Sequence, residues 1–130
     1  MQHPQLPRAE LDIMQTIWEQ ETPISSVRMT ELMRPIKGWK KQTVYTLLSR
    51  LVDKGFLSSE KQGKERCYAP LIDREEYLQQ ETGRFVEAFH KNSLTGFMRA
   101  LVSATDIDDT ELAELADWLE SRKKEEIGDV

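Results

Sequence analysis

A chain of 130 residues with a single cysteine, Cys67, can build one modest core, or one small domain plus an assembly segment, and has no second thiol for an internal disulfide. Its composition, 38% hydrophobic and 32% charged, holds no apolar run of membrane-spanning length, and Met1-Gln2-His3-Pro4-Gln5 lacks the basic start and apolar core of a secretion signal. A cytoplasmic protein with no stable membrane association is the expectation. The net charge of −5 speaks against nucleic acid only until it is divided along the chain. Residues 1–72 hold 11 Lys and Arg against 8 Asp and Glu, residues 73–130 hold 7 against 15, and residues 34–66 hold 9 against 3. A local basic patch, rather than the overall balance, is the electrostatic footprint of a DNA-binding surface.

Pro7 suits the first turn of a helix, where its missing N–H leaves nothing unsatisfied. Leu11, Met14, Ile17 and Trp18 then form a helical stripe ending near Glu21, and Thr22 to Ser25 reads as a minimal strand. Ser25 or Ser26 caps a second helix in which Met29, Leu32, Met33 and Ile36 repeat at i, i+3, i+4 and i+7. Pro35 is expected to end it at about Arg34, because proline and the residue before it both resist helical continuation. A turn over Ile36 to Trp39 leads into the stretch Gly38 to Gly55, where Val44, Leu47, Leu48, Leu51 and Val52 recur as the apolar face of a third helix. The opposite face carries Gln42, Tyr45, Thr46, Ser49, Arg50 and Asp53, and the first turn opens on Lys40 and Lys41. Cations at the positive end of a helix dipole have no folding rationale. A phosphate lying over that end supplies one. Gly55 stops the helix as a left-handed cap. Helix, turn and basic-fronted helix make a helix-turn-helix with the third helix as reader.

Phe56 to Lys61 and Arg66 to Leu71 flank Gln62-Gly63-Lys64-Glu65, the pattern of a β-hairpin with a glycine turn. Lys61, Lys64 and Arg66 at its tip suit a wing reaching toward phosphates or the minor groove. Asp73 caps a long fourth helix with Leu78, Phe85, Phe89, Leu94, Phe97, Met98, Leu101 and Val102 as its apolar positions. Asp106-Ile-Asp-Asp-Thr interrupts the pattern. A fifth helix from about Asp108 to Lys124 gathers Leu112, Leu115, Ala116 and Leu119 on one face. Two such helices cannot bury both stripes alone, and dimerisation covers them. The fold class expected is mainly α with a small β-hairpin: a winged helix-turn-helix domain over residues 1–72 and a C-terminal helical dimerisation region over residues 73–130.

Three runs in this order carry a family resemblance: Ala9-Glu-Leu-Asp-Ile-Met-Gln-Thr-Ile-Trp, Trp39-Lys-Lys-Gln-Thr-Val-Tyr-Thr-Leu-Leu-Ser-Arg-Leu-Val-Asp-Lys-Gly-Phe-Leu, and Cys67-Tyr68-Ala-Pro. Across nearly the whole chain the sequence resembles the penicillinase repressor (BlaI/MecI/CopY) family. The resemblance implies a homodimeric bacterial repressor that binds a short inverted-repeat DNA operator and is switched off by a membrane sensor protease or by metal. Copper-responsive members carry a C-terminal Cys-x-Cys pair motif, whereas residues 73–130 contain no cysteine. Protease-switched members carry an Asn-Phe cleavage bond, in whose place stands Ala100-Leu101.

The residues expected at DNA are Trp39, Lys40, Lys41, Gln42, Thr43, Thr46, Arg50, Lys61, Lys64 and Arg66, with Gln42, Thr43 and Thr46 at base edges and the cations on phosphates. Those expected in the dimer core are Leu78, Phe85, Phe89, Leu94, Phe97, Leu101, Leu112, Leu115 and Leu119, joined by Trp118. Cys67 reads as a small residue of the wing. His3 and His90 lack ligand-spaced partners, so neither metal nor cofactor is expected. No nucleophile elbow, phosphate loop or paired-acid motif is present, and an enzyme is not expected. Two other functions compete: a winged-helix protein–protein adaptor, which predicts a neutral or acidic third helix, and a metal-responsive repressor, which the cysteine count opposes.

Overall fold

The computed structural model describes residues 3–91 and 93–128. Its first helix, α1 (Arg8–Trp18), turns Glu10, Ile13, Met14 and Ile17 inward. The inner face is therefore offset from the expected stripe: Leu11 and Trp18 are only partly buried at its edge, and a carboxylate occupies the first inward position. After the short strand β1 (Ile24–Ser25), the Ser25 hydroxyl accepts the Arg28 N–H at 3.0 Å and caps α2 (Ser26–Lys37). That helix runs three residues past the expected end at Arg34. Pro35 lies in its last turn, where it forfeits a single donor, and Gly38 at φ 67 closes the helix by donating to the Arg34 carbonyl at 2.8 Å.

The third helix, α3 (Lys41–Asp53), buries Val44, Leu47, Leu48 and Leu51. It ends as its sequence predicts. Gly55 takes φ 81, its N–H donates to the Val52 carbonyl at 3.0 Å, and the Phe56 N–H donates to the Leu51 carbonyl at 2.9 Å. Those two bonds form a complete Schellman closure, and they drop Phe56 into the core with no exposed surface. The hairpin follows as β2 (Leu57–Gln62) and β3 (Glu65–Pro70), with Gln62 opposite Glu65 across a two-residue turn and Gly63 at φ 65 in its first central position. β1 adds to the other edge of β3, Ile24 facing Tyr68, so the sheet order is β1-β3-β2 and all pairs are antiparallel.

Two compact units result, Met1–Arg84 and Phe85–Val130, and the division falls inside α4 (Arg74–His90). The boundary expected after residue 72 thus differs by the first turns of α4, which belong to the head. Tyr77 is the reason: it is 5% exposed, its ring stands edge-on to Phe56 with centroids 5.5 Å apart, and its hydroxyl accepts the Leu6 N–H at 3.0 Å. Burial pushes the Tyr77 phenol above its ordinary pKa of 10.0, outweighing the Leu6 amide, which lowers it. Trp18 supports the same junction by donating its indole N–H to the Ile72 carbonyl at 2.9 Å. The backbone of His3 is also tied down, its carbonyl accepting from Gln80 at 2.8 Å and from Arg84 at 3.0 Å.

The expected long fourth helix is two helices. After α4 ends at His90, Lys91 adopts φ 49, and the Ser93 hydroxyl accepts the Gly96 N–H at 3.0 Å to start α5 (Leu94–Ala104). The last helix, α6 (Asp109–Gly128), opens under a cap in which Asp108 accepts the Glu111 N–H at 2.8 Å, and it continues past the expected end at Lys124. Within this second unit Phe85, Phe89, His90 and Phe97 form an aromatic cluster, with Phe85–Phe89 centroids at 4.8 Å. No described side chain of α5 or α6 is buried. Among the described residues, no helix is long and apolar enough to cross a membrane.

Candidate nucleic-acid interface

The geometry that matters is set by which side of α3 the core takes. Val44, Leu47, Leu48 and Leu51 are held by α1 and α2, which leaves Lys40, Lys41, Gln42, Thr43, Thr46, Ser49 and Arg50 exposed in one continuous face. Trp39 is half-buried and packs against the core at the helix entrance. Lys40 is the N-cap residue and supplies no side-chain cap, so the first N–H groups of α3 remain open toward solvent beside two ammonium groups. Tyr45, expected on the open face, is instead half-buried against the core, with the Lys41 ammonium 5.6 Å from its ring centroid. That cation–π contact restrains a side chain that would otherwise sweep freely. The Thr46 hydroxyl donates to the Gln42 carbonyl at 2.9 Å, so its proton is committed within the helix and only its lone pairs and methyl face outward.

The wing places Lys61 directly opposite Arg66 in the β2–β3 register, with Lys64 in the turn between them, and all three are exposed. Arg66 donates to the Ser59 hydroxyl at 2.7 Å, which lays its guanidinium back along the strand. Cys67 is buried on β3 between β1 and β2.

Not every cation of the basic stretch joins this surface. Lys37 at the end of α2 pairs with Asp12 at 3.0 Å, and Lys54, the C-cap of α3, pairs with Glu10, whose side chain is 3% exposed. Both acids come from α1. Neither pair was anticipated, although the i, i+3, i+4, i+7 spacing of Glu10 with Ile13, Met14 and Ile17 carries the signal that Glu10 belongs to the inner face.

In the C-terminal region Phe85, Phe89, Leu94, Trp118 and Leu119 are exposed, Trp118 by 58%, while Phe97, Leu101, Leu112 and Leu115 are half-buried. Leu78, expected with them, lies on the part of α4 belonging to the first unit and is also exposed. Ala100 and Leu101 lie in the middle of α5. Among the described residues, no group of three or more His, Cys, Asp or Glu side chains is placed to hold a metal ion.

Comparison with known proteins places this geometry. The sequence pattern of the penicillinase repressor family matches residues 6–121. The penicillinase repressor of Bacillus licheniformis is 30% identical over 128 residues, covering 94% of this chain and 97% of its own. The methicillin resistance regulatory protein MecI of Staphylococcus aureus strain N315 is 25% identical over 114 residues, covering 88% and 92%. Among solved structures, the DNA-binding domain of the repressor BlaI superposes with a TM-score of 0.53 at 33% identity, covering 58% of this chain and 92% of that one. The B. licheniformis BlaI monomer in complex with the blaP half-operator gives 0.51 at the same identity and coverage.

Proposed function

The chain belongs to the penicillinase repressor family, and from that premise we propose that it is a DNA-binding transcriptional repressor acting as a homodimer on a short inverted-repeat operator. It is a regulator and not an enzyme. The observation that carries the reading is the exposed face of α3, where a basic first turn precedes Gln42, Thr43 and Thr46 and the wing cations flank it. A helix of this kind enters the major groove by its N-terminal turns. Gln42 has the paired donor and acceptor that match adenine, while Lys40, Lys41, Arg50, Lys61, Lys64 and Arg66 supply sequence-independent attraction to phosphates. An adaptor without DNA binding would have no use for six exposed cations around a polar helix face.

Homodimerisation is supported by the apolar side chains of α4, α5 and α6 that remain exposed. Two heads then span two half-sites about one helical turn, or a multiple, apart. The cytoplasm is the compartment where such DNA lies. Relief of repression by a sensor protease cutting near Ala100-Leu101 is part of the same reading, because the cut would sever α6 from the rest of the assembly region and leave the head intact.

The test is recovery of genomic DNA fragments on the immobilised full chain, followed by sequencing. An enriched motif made of two inverted half-sites is expected. Recovery of fragments at random, with no shared motif, would overturn the reading.

A further inference from the structure

We propose that Glu10 is a positioning residue for DNA readout: its buried carboxylate grips Lys54 at the C-terminal end of α3 and thereby fixes how the recognition face is presented. The inference rests on α3 being the reading helix. Glu10 occupies an inward position of α1 that an apolar residue would ordinarily fill, and the residue is 2% exposed. The carboxylate is taken out of water while the Lys54 side chain stays 32% exposed, and such a pair contributes little net stability compared with packed hydrocarbon, since desolvation of the buried partner offsets most of the attraction. What such a pair does supply is a definite geometry, because a buried charge tolerates few arrangements that leave it unpaired.

The place of the pair in the fold gives that geometry its meaning. Lys54 is the C-cap of α3, followed at once by the Schellman closure at Gly55 and Phe56. Two residues along α1 from Glu10, on another side of the helix, Asp12 holds Lys37 at the C-terminal end of α2 at 3.0 Å. Asp12 also pairs with Arg8 at 3.3 Å, so its charge is shared, whereas Lys54 is the partner recorded for Glu10. α1 therefore holds the C-terminal ends of both helices of the helix-turn-helix: Asp12 fixes α2 just before the turn into α3, and Glu10 fixes the end of α3 opposite its first turn. The apolar contacts of Val44, Leu47 and Leu48 fix the depth of α3. Apolar attraction is non-directional, so it specifies the depth of α3 more firmly than its rotation or its position along the axis. The Glu10–Lys54 bond removes that freedom. A shift of an ångström at Gln42 or Thr46 is enough to spoil a hydrogen bond to a base edge, while long, flexible lysines and arginines follow the phosphates through it.

The experiment compares Glu10→Gln with the unaltered chain on two duplexes: one selected from random sequence by the unaltered protein, the other a scramble of it. Affinities are measured over a range of salt at a temperature where melting shows each protein folded. The expected result is a fall in the selected-to-scrambled ratio of about tenfold, the loss of roughly one base contact. Affinity for the scramble and its salt slope should stay unchanged, because the same phosphates are engaged. Lys54→Arg, which keeps the charge and the reach, should retain the ratio. A purely structural role lowers the melting temperature and leaves the ratio intact in the folded protein; a ratio within about twofold of the original overturns the proposal. If Glu10→Gln does not fold, the double variant Glu10→Met with Lys54→Met removes both charges in an apolar setting, and an unchanged ratio there overturns it equally. Failure of the unaltered chain to select any duplex is a different outcome, which removes the DNA-binding reading itself.

Discussion

At the scale of single residues, the proposed recognition face separates into groups suited to read and groups suited to hold. The Thr46 hydroxyl donates its hydrogen bond to the Gln42 carbonyl, so toward DNA it presents acceptor lone pairs with a methyl group beside them. It suits the exocyclic amine of adenine or cytosine, or the thymine methyl. Thr46→Ala should therefore change preference at particular operator positions, at about 1–3 kcal/mol for each affected base pair. Arg50 is exposed farther along the same helix, and in the proposed role it acts through its charge. Arg50→Ala should weaken selected and scrambled duplexes alike and flatten the salt dependence by about 1 in slope. Titrations of both variants on both duplexes separate the roles. Equal weakening of the two duplexes by Thr46→Ala would exclude a base contact. Tyr45 lies at about 100° from Val44 in helical projection, roughly 20° from Val52, so it sits at the edge of the apolar stripe, and the structure packs it against the core.

At the scale of elements, the parts legible in the sequence are those where period and punctuation agree. The apolar period of α3 and the glycine at its end fix it almost to the residue, and Gly63 between two short strand-like runs fixes the hairpin. The break between α4 and α5 was illegible for a physical reason. Phe85, Phe89, Ser93, Phe97 and Leu101 are each four residues apart, so the helical pattern crosses the break without a slip. Ser93 interrupts it only by acting as a cap, and a serine in mid-pattern looks like any polar substitution. The consequence for regulation lies in α5 itself. It has 11 residues and no buried side chain, and Gly96 sits in its first turn, where its N–H is held by the Ser93 cap. A protease needs extended backbone, and a helix so lightly held opens locally at small cost. Immunoblots of cells treated with a cell-wall antibiotic should show a shortened product ending near Ala100. An intact repressor alongside induced target genes would exclude the scheme.

At the scale of the whole molecule, the chain divides its chemistry: cations gather around α3 and the wing, and acids dominate residues 73–130. Exposed apolar side chains are concentrated toward the C-terminal helices, and in the proposed homodimer their burial between two copies would make two heads one ligand for DNA. Leu115→Glu combined with Leu119→Glu should give a folded monomer by sedimentation at micromolar concentration. Its operator affinity should be lower by about 10²–10⁴, the avidity of a linked second site. A dimer that persists would refute the placement of the interface on α6. The three tryptophans make the molecule its own optical instrument. Trp18 is hydrogen-bonded at the junction of α1 with the end of the sheet, Trp39 is half-buried at the entrance to the reading helix, and Trp118 stands in water on α6. Their emission should consequently report folding at Trp18 and, if the proposed operator complex and dimer form, DNA engagement at Trp39 and self-association at Trp118, each isolated by replacing the other two indoles with phenylalanine.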